Sequence, residues 1–249
     1  MTPSSQPVTS TPDADTPTTA LVGVLGGMGP AATVDFYAKL VRHTPAQRDQ
    51  DHLRVVIWAD PTVPDRVGAV LGGGPDPYPA LLAGAQRLRS LGATVVAMPC
   101  NTAHFFLDRL VRDTGLAFVD MVGETVAEVV GGADGALTIG LLGTRATLRS
   151  GLYQLPLADA GAAVLLPSEE DQRLVDTAIA AVKAGDTTAA AAPAEAAARK
   201  LAERGAQAIV RACTELPLAL AAIHHPENDW NIVDPTDVLA RATVRQALS

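Results

Sequence analysis

The sequence predicts an α/β protein made of two similar halves, each built on a parallel sheet, with its site in the cleft between them. Three observations carry this expectation. Short apolar runs of strand length alternate with longer stretches of helical spacing, the pattern of parallel strands covered by helices. The chain repeats itself at an offset of 113 to 117 residues. Each copy carries one of the only two cysteines, at matching positions.

The strand-length runs are Leu21–Leu25, Val55–Trp58, Thr94–Met98, Ala117–Val119, Leu137–Leu142, Ala163–Leu166, Ala208–Val210 and Ile232–Val233. The helical segments between them are Ala31–Arg42, Tyr78–Leu91, Thr102–Arg112, Glu124–Val130, Ser150–Ala160, Glu170–Ala184, Ala194–Arg204 and Pro235–Ala247. Residues 1–19 stand apart: thirteen are Ser, Thr or Pro and none is Lys or Arg. They lack the basic start and apolar centre of a secretory signal and read as a disordered tail. The alanine-rich stretch Thr187–Ala198 reads as a surface helix after a turn at Gly185-Asp186, with Pro193 in its first turn. The organisation expected is a tail over 1–19, a first subdomain over 20–116 plus 226–249, and a second over 117–225.

Composition narrows the class. The 249 residues are 48% hydrophobic and 18% charged, which is globular. With 27 acids against 19 bases the net charge is −8, which disfavours nucleic acid as a partner. No apolar run approaches the ~18 residues of a membrane helix, and Leu21–Ala32 is broken by four glycines and a proline. Two cysteines make no disulfide framework. A cytoplasmic protein without membrane contact is the expectation.

The repeat has three ordered parts. Gly23-Val24-Leu25-Gly26 echoes Gly140-Leu141-Leu142-Gly143. Leu88 to Gly92-Ala93 and Leu201 to Gly205-Ala206 each lead through a strand to a cysteine, eight residues from glycine to Cys100 or Cys213. Phe118-Val119-Asp120 echoes Ile232-Val233-Asp234. In open parallel sheets ligands bind at the carboxyl ends of the strands, so two halves face to face set both cysteines on one cleft. The bland alternative is a pair of buried structural cysteines.

The cysteine motifs are Pro99-Cys100-Asn101-Thr102-Ala103-His104 and Arg211-Ala212-Cys213-Thr214-Glu215. A cysteine at a helix start feels the positive end of the dipole, which predicts a lowered thiol pKa. The following N–H groups can hold a carboxylate. Two opposed thiols suit racemisation, in which one group removes the Cα proton and the other delivers a proton to the opposite face. A cysteine protease would instead need one Cys and a His.

These motifs, with Gly26-Gly27-Met28-Gly29-Pro30, Pro64-Asp65-Arg66 and Val233-Asp234-Pro235, make residues 21–247 resemble the aspartate racemase branch of the aspartate/glutamate racemase superfamily. The resemblance implies flavodoxin-like sheets, Cys100 and Cys213 as the catalytic pair, and no pyridoxal phosphate, metal or other cofactor. It also implies a homodimer acting on a free amino acid, aspartate first and glutamate or another amino acid otherwise. By the same resemblance Arg66 grips the side-chain carboxylate, a task a planar guanidinium performs bidentately, and Lys183 also faces the substrate. Asn101, Thr102 and Thr214 are expected to cradle the α-carboxylate. Met28 would line the pocket through its backbone, and Thr144 and Thr147 lie beside the second glycine turn. Arg66 read as a surface arginine and Lys183 as a solvated helix end remain the alternatives. Ala212 departs from the glycine usual in the family, which places a methyl near Cys213.

Other residues read plainly. Cys100 and His104 share a helix face, but further metal ligands are not evident, so His104 is an orienting or buried histidine. Glu215 reads as structural or as a neighbour of the second cysteine. His43, His52, His224 and His225 read as loop residues. The rival of a different class is a dinucleotide-binding oxidoreductase, since Gly27-Met28-Gly29-Pro30-Ala31-Ala32 matches G-x-G-x-x-A. Against it, the strand-end acid Asp60 lies 31 residues past Gly29 rather than about 20, and Pro30 removes an N–H from the turn. A regulatory protein that keeps the fold without turnover is a third class, disfavoured by two intact cysteine motifs.

Overall fold

A computed structural model describes residues 20–131, 137–220 and 231–249. The expected tail over 1–19 and the loop histidines His224 and His225 lie outside the described residues.

Each half begins with an apolar strand and a glycine turn. β1 (Leu21–Gly26) leads into α1 (Pro30–His43), followed by β2 (Arg54–Ala59), a short α2 (Arg66–Val70) and α3 (Tyr78–Ser90). β3 (Val95–Ala97) precedes a 3₁₀ turn over Thr102–Phe106, α4 (Leu107–Thr114), β4 (Ala117–Phe118) and α5 (Met121–Val130). The second half runs β5 (Thr138–Gly143), α6 (Arg145–Arg149), α7 (Gln154–Asp159), β6 (Ala163–Leu165), α8 (Glu169–Lys183) and α9 (Thr187–Glu203). It closes with β7 (Ala208–Ala212), α10 (Leu216–Leu220), β8 (Asn231–Val233) and α11 (Pro235–Leu248). The strands form two parallel sheets, β2-β1-β3-β4 and β6-β5-β7-β8, each in the flavodoxin-like order. Among the described residues no helix is long and apolar enough to cross a membrane.

The sequence repeat has a packing cause. A Cβ built on Gly23 would stand 2.9 Å from the Ala93 methyl, with Leu88 next to it. A Cβ on Gly140 would meet Leu201 at 3.1 Å and Ala206 at 3.2 Å. The strand glycine and the Leu…Gly-Ala segment are therefore two sides of one contact, made once in each half. Asp120 and Asp234, the ends of the third echo, each cap the helix that follows by accepting from the N–H two residues on.

Strand alternation directs each sheet's two faces. Val22 and Val24 pack with Phe36 and Leu40 of α1, whereas Leu25 packs with Leu81, Ala85 and Leu88 of α3. Ile139 and Leu141 face Tyr153 and Leu157, whereas Leu142 faces α8 and α9. The two halves exchange helices. Val122, Val126 and Val129 of α5 pack on the second sheet, and Leu239, Ala240 and Val244 of α11 pack on the first. Each of these helices follows the last strand of one half and covers the sheet of the other.

Several expectations change. The boundary at 116/117 would separate Ala117–Phe118 from its sheet, yet that strand pairs with β3; residues 231–233, expected with the first subdomain, pair with β7. Both are edge strands, placed by backbone pairing that hydropathy does not encode. The alanine-rich helix starts at Thr187, where the Asp186 side chain accepts from Ala189 N–H, so Pro193 lies inside it rather than in its first turn. It is not a surface helix: Ala190, Ala194, Ala197 and Ala198 are buried against α8, because small side chains let the two helices approach closely. His43 is the last residue of α1 rather than a loop residue, and its Nε2 lies 2.8 Å from Asp237 Oδ1. α2, α6 and α10, of five residues each, are too short for a periodic signal.

Candidate active site

The site is assembled from the carboxyl ends of strands in both sheets. In both halves the cysteine N–H bonds the carbonyl two residues earlier at 2.7 Å, Met98 for Cys100 and Arg211 for Cys213. That shared tight turn ends the strand and directs each thiol into the cleft. A small cavity of about 20 Å³ is walled by Met28, Arg66, Cys100, Asn101, Cys213 and Thr214, and further by Thr102, Thr144, Lys183 and Glu215. Nine of the ten residues named from sequence thus share one wall. Thr147 stands behind it: Thr102, Thr144 and Thr147 hydroxyls lie pairwise 2.9 to 3.0 Å apart, joining the halves. Thr144 also caps α6 by accepting from Thr147 N–H.

Each motif has a local cause. Asp65 of the Pro-Asp-Arg motif caps α2, accepting from Gly68 N–H, which sets Arg66 in that helix's first turn. Arg66 Nη1 donates to the carbonyls of Val63 and Pro64, each at 3.2 Å, and Nη2 to Met28 O at 3.3 Å. Its buried Nε has no hydrogen-bond partner among the described residues. The guanidinium is thus anchored on one side and offers donors on the other, so Arg66 is not a surface arginine. Lys183 is the last residue of α8, and that helix end lies in the cavity wall.

The glycine turn does not fit the dinucleotide alternative. Gly27 has φ +90°, and a Cβ there would stand 2.4 Å from Asp60 N, so only glycine is accommodated. Its N–H donates to Thr33 Oγ1 at 2.8 Å, which removes it as a phosphate donor. A Cβ on Gly29 would lie 3.3 Å from the Glu215 carboxylate, so the turn brings backbone up to that side chain.

The two thiols differ in their neighbours. Cys100 is 6% exposed and Cys213 4% exposed. Burial pushes the Cys100 thiol up, opposed by the Arg66 cation. Burial pushes Cys213 well above the ordinary range, and the Glu215 carboxylate adds to it. Cys213 Sγ donates to Glu215 Oε2 at 3.0 Å. The expected lowering by helix starts is therefore overturned: backbone N–H groups of Ala103 and Glu215 favour the thiolates, but burial outweighs them.

His104 is a satisfied buried histidine. Its Nδ1 lies 2.9 Å from Cys100 O and its Nε2 accepts from Met121 N–H at 3.3 Å. It ties the Cys100 turn to the start of α5, burial keeps it neutral, and neither ring nitrogen is left for a metal. The Ala212 methyl packs with Tyr153 and Val210 in the core rather than lining the cavity, so the departure from glycine does not alter the wall. Two residues were undervalued by sequence. Glu215 bonds Cys213, which the two-residue spacing alone could not show. Tyr153, from α7's N-terminus, donates its hydroxyl to Asn101 Oδ1 at 2.5 Å, a contact across 52 residues with no local signal.

Residues 25–243 match the Asp/Glu/Hydantoin racemase family. The chain belongs to that family. The broad specificity amino-acid racemase RacX of Bacillus subtilis (strain 168) is 28% identical over 233 residues, covering 92% of this chain and 99% of that protein. The structure of Picrophilus torridus aspartate racemase superposes with a TM-score of 0.82 at 33% identity, over 92% of this chain and 94% of that one. An aspartate racemase homologue from Pyrococcus horikoshii OT3, 21% identical, shares the fold with a TM-score of 0.71 over 92% and 99% of the two chains. The protein is an amino-acid racemase of this family, and the oxidoreductase alternative falls.

Proposed function

We propose that this racemase interconverts L- and D-aspartate by proton transfer between two thiols, without a cofactor. The observation that supports the reading most is that Cys100, Cys213, Arg66 and Lys183 wall one cavity. Two cations beside two thiols match a substrate whose side chain carries a carboxylate.

The α-carboxylate faces Asn101, Thr102 and Thr214, and the side-chain carboxylate takes the free Nε edge of Arg66, with Lys183 as a second positive charge. Cα then lies between the sulfurs. Arg66 favours the Cys100 thiolate, which removes the Cα proton from one face. Cys213, held as a thiol by burial and Glu215, delivers a proton to the other face. The reverse direction uses the pair in opposite roles. Arg66 thus acts twice, on the substrate and on the base.

Glutamate is the second reading, since one more methylene needs only a modest shift of the same carboxylate grip. Circular dichroism with each enantiomer of aspartate and glutamate, without added cofactor, decides between them. Turnover of aspartate at higher kcat/KM supports the proposal; turnover of neither acidic amino acid overturns it.

A further inference from the structure

We propose that Tyr153 is a positioning residue that fixes the amide orientation of Asn101, so that Asn101 presents its N–H₂, and not its carbonyl, to the substrate α-carboxylate. The inference rests on the proposed reading that Asn101 meets that carboxylate.

Asn101 directly follows Cys100 and is 2% exposed. Its amide is a two-faced group, with Oδ1 accepting and Nδ2 donating, and nothing in its own torsion prefers one orientation. Tyr153 engages one of the two ends. Its hydroxyl, fully buried, donates to Asn101 Oδ1 at 2.5 Å. Burial and the nearby charges of Asp120 and Asp234 drive the phenol pKa far up, so the hydroxyl keeps the proton it donates. With Oδ1 engaged, Nδ2 is left as a buried donor with no partner among the described residues, on a residue that lines the cavity. A buried unpaired donor is costly, and an incoming carboxylate oxygen satisfies it. If the amide turned over, its carbonyl would oppose that anion. Tyr153 is anchored in the second half's core, beside Ile139, Leu141 and Val210, so it carries the geometry of one half to the binding residue of the other.

Tyr153→Phe keeps the ring and removes the donor. Once wild type is shown to turn over aspartate, the variant is expected to raise KM for aspartate about ten- to hundredfold, with kcat changed far less. Inhibition by L-aspartate α-amide, whose neutral carboxamide can pair with either amide face, is expected to change less than threefold. In an Asn101→Ala background, Tyr153→Phe is expected to have no further effect on KM. An unchanged KM, an equal loss for aspartate and its α-amide, or additive effects in the double variant overturns the role. Should Tyr153→Phe fail to fold, a neutron structure of the wild type with L-aspartate bound reads the same point: Asn101 Nδ2 is expected on the α-carboxylate with Oδ1 on the Tyr153 hydroxyl, and an amide with Oδ1 turned from Tyr153 overturns the proposal. Absence of wild-type aspartate turnover would instead overturn the substrate reading, and the same variants are then read with the amino acid that the wild type does racemise.

Discussion

Cys100 and Cys213 end equivalent strands through the same tight turn, yet their surroundings are not equivalent. Cys100 has the Arg66 cation beside it, whereas Cys213 donates to the Glu215 carboxylate. The repeated parts of the two halves supply position, since the matching glycines, Gly-Ala segments and capping aspartates all fix where a strand ends. The parts that differ supply chemistry. Two thiols in identical surroundings could hold one proton between them but would not fix which is the thiolate, and a two-base racemase needs one thiolate and one thiol. The unmatched residues divide the pair: Arg66 favours the Cys100 thiolate, and Glu215, bonded to Cys213, holds that thiol up the most.

The comparison breaks most sharply at the thiols themselves. Cys100→Ala and Cys213→Ala are each expected to lower racemisation about 10²- to 10⁴-fold, the range for loss of a general acid or base. In deuterium oxide each variant should still exchange the Cα proton of one enantiomer, and the two variants should choose opposite enantiomers. Proton NMR of the α position reads this directly. Exchange of both enantiomers by a single-cysteine variant would refute the division of faces between halves.

Arg66 comes next. Arg66→Ala should lower kcat/KM for aspartate about ten- to a hundredfold, the worth of a charge-assisted hydrogen bond. It should also shift the acid side of the pH profile to higher pH, because the cation that favours the Cys100 thiolate is gone. A loss of affinity with an unmoved profile would leave Arg66 as a substrate grip alone.

Glu215 tests the other half. In the free enzyme, kcat/KM should rise as Cys100 ionises and fall as Cys213 ionises, giving a bell. Burial raises both thiols, so the bell lies on the alkaline side of an ordinary thiol, about 8.5. Glu215→Gln removes a negative charge that raises both thiols, Cys213 more than Cys100 because the carboxylate bonds Cys213 directly. The Cys213 thiol pKa then falls the further, so the alkaline limb moves to lower pH by more than the acid limb and the bell narrows. Profiles over pH 6 to 11 for both proteins read the shift. An alkaline limb that stays in place would show that Glu215 does not govern Cys213.

What the chain reveals unaided follows from the same division. Features repeated in each half are legible as sequence because each is a short local pattern: the Gly-Ala before Cys100 and Cys213, the Asp caps, and the alternating runs. The Pro-Asp-Arg motif is legible in part, since a capping aspartate beside arginine is local. The asymmetry is not. Tyr153 meets Asn101 across 52 residues, and Glu215 bonds Cys213 from a position with no counterpart in the first half. The buried alanine face of α9 looks like a surface helix until α8 is placed against it. The thiol pKa values were misjudged for a related reason: a helix start is visible in sequence, whereas burial, the larger effect here, depends on both halves closing.

The smallest expected effect lies in the repeated contact itself. Adding a methyl at Gly23 forces it to 2.9 Å from Ala93 Cβ, an atom fixed by its backbone. At Gly140 the nearest atom is Leu201 Cδ1 at 3.1 Å, the movable end of a side chain. Overpacking costs about 1–3 kcal/mol, and replacing glycine by alanine returns about 0.4–1 kcal/mol by restricting the unfolded chain. Gly23→Ala should therefore destabilise by about 1–2 kcal/mol, and Gly140→Ala by less than about 1 kcal/mol, in urea unfolding. A larger loss at Gly140 would reverse the ranking. With the predicted order, the strand contact of the first half is the less yielding of the two, and that half carries both Arg66 and Cys100.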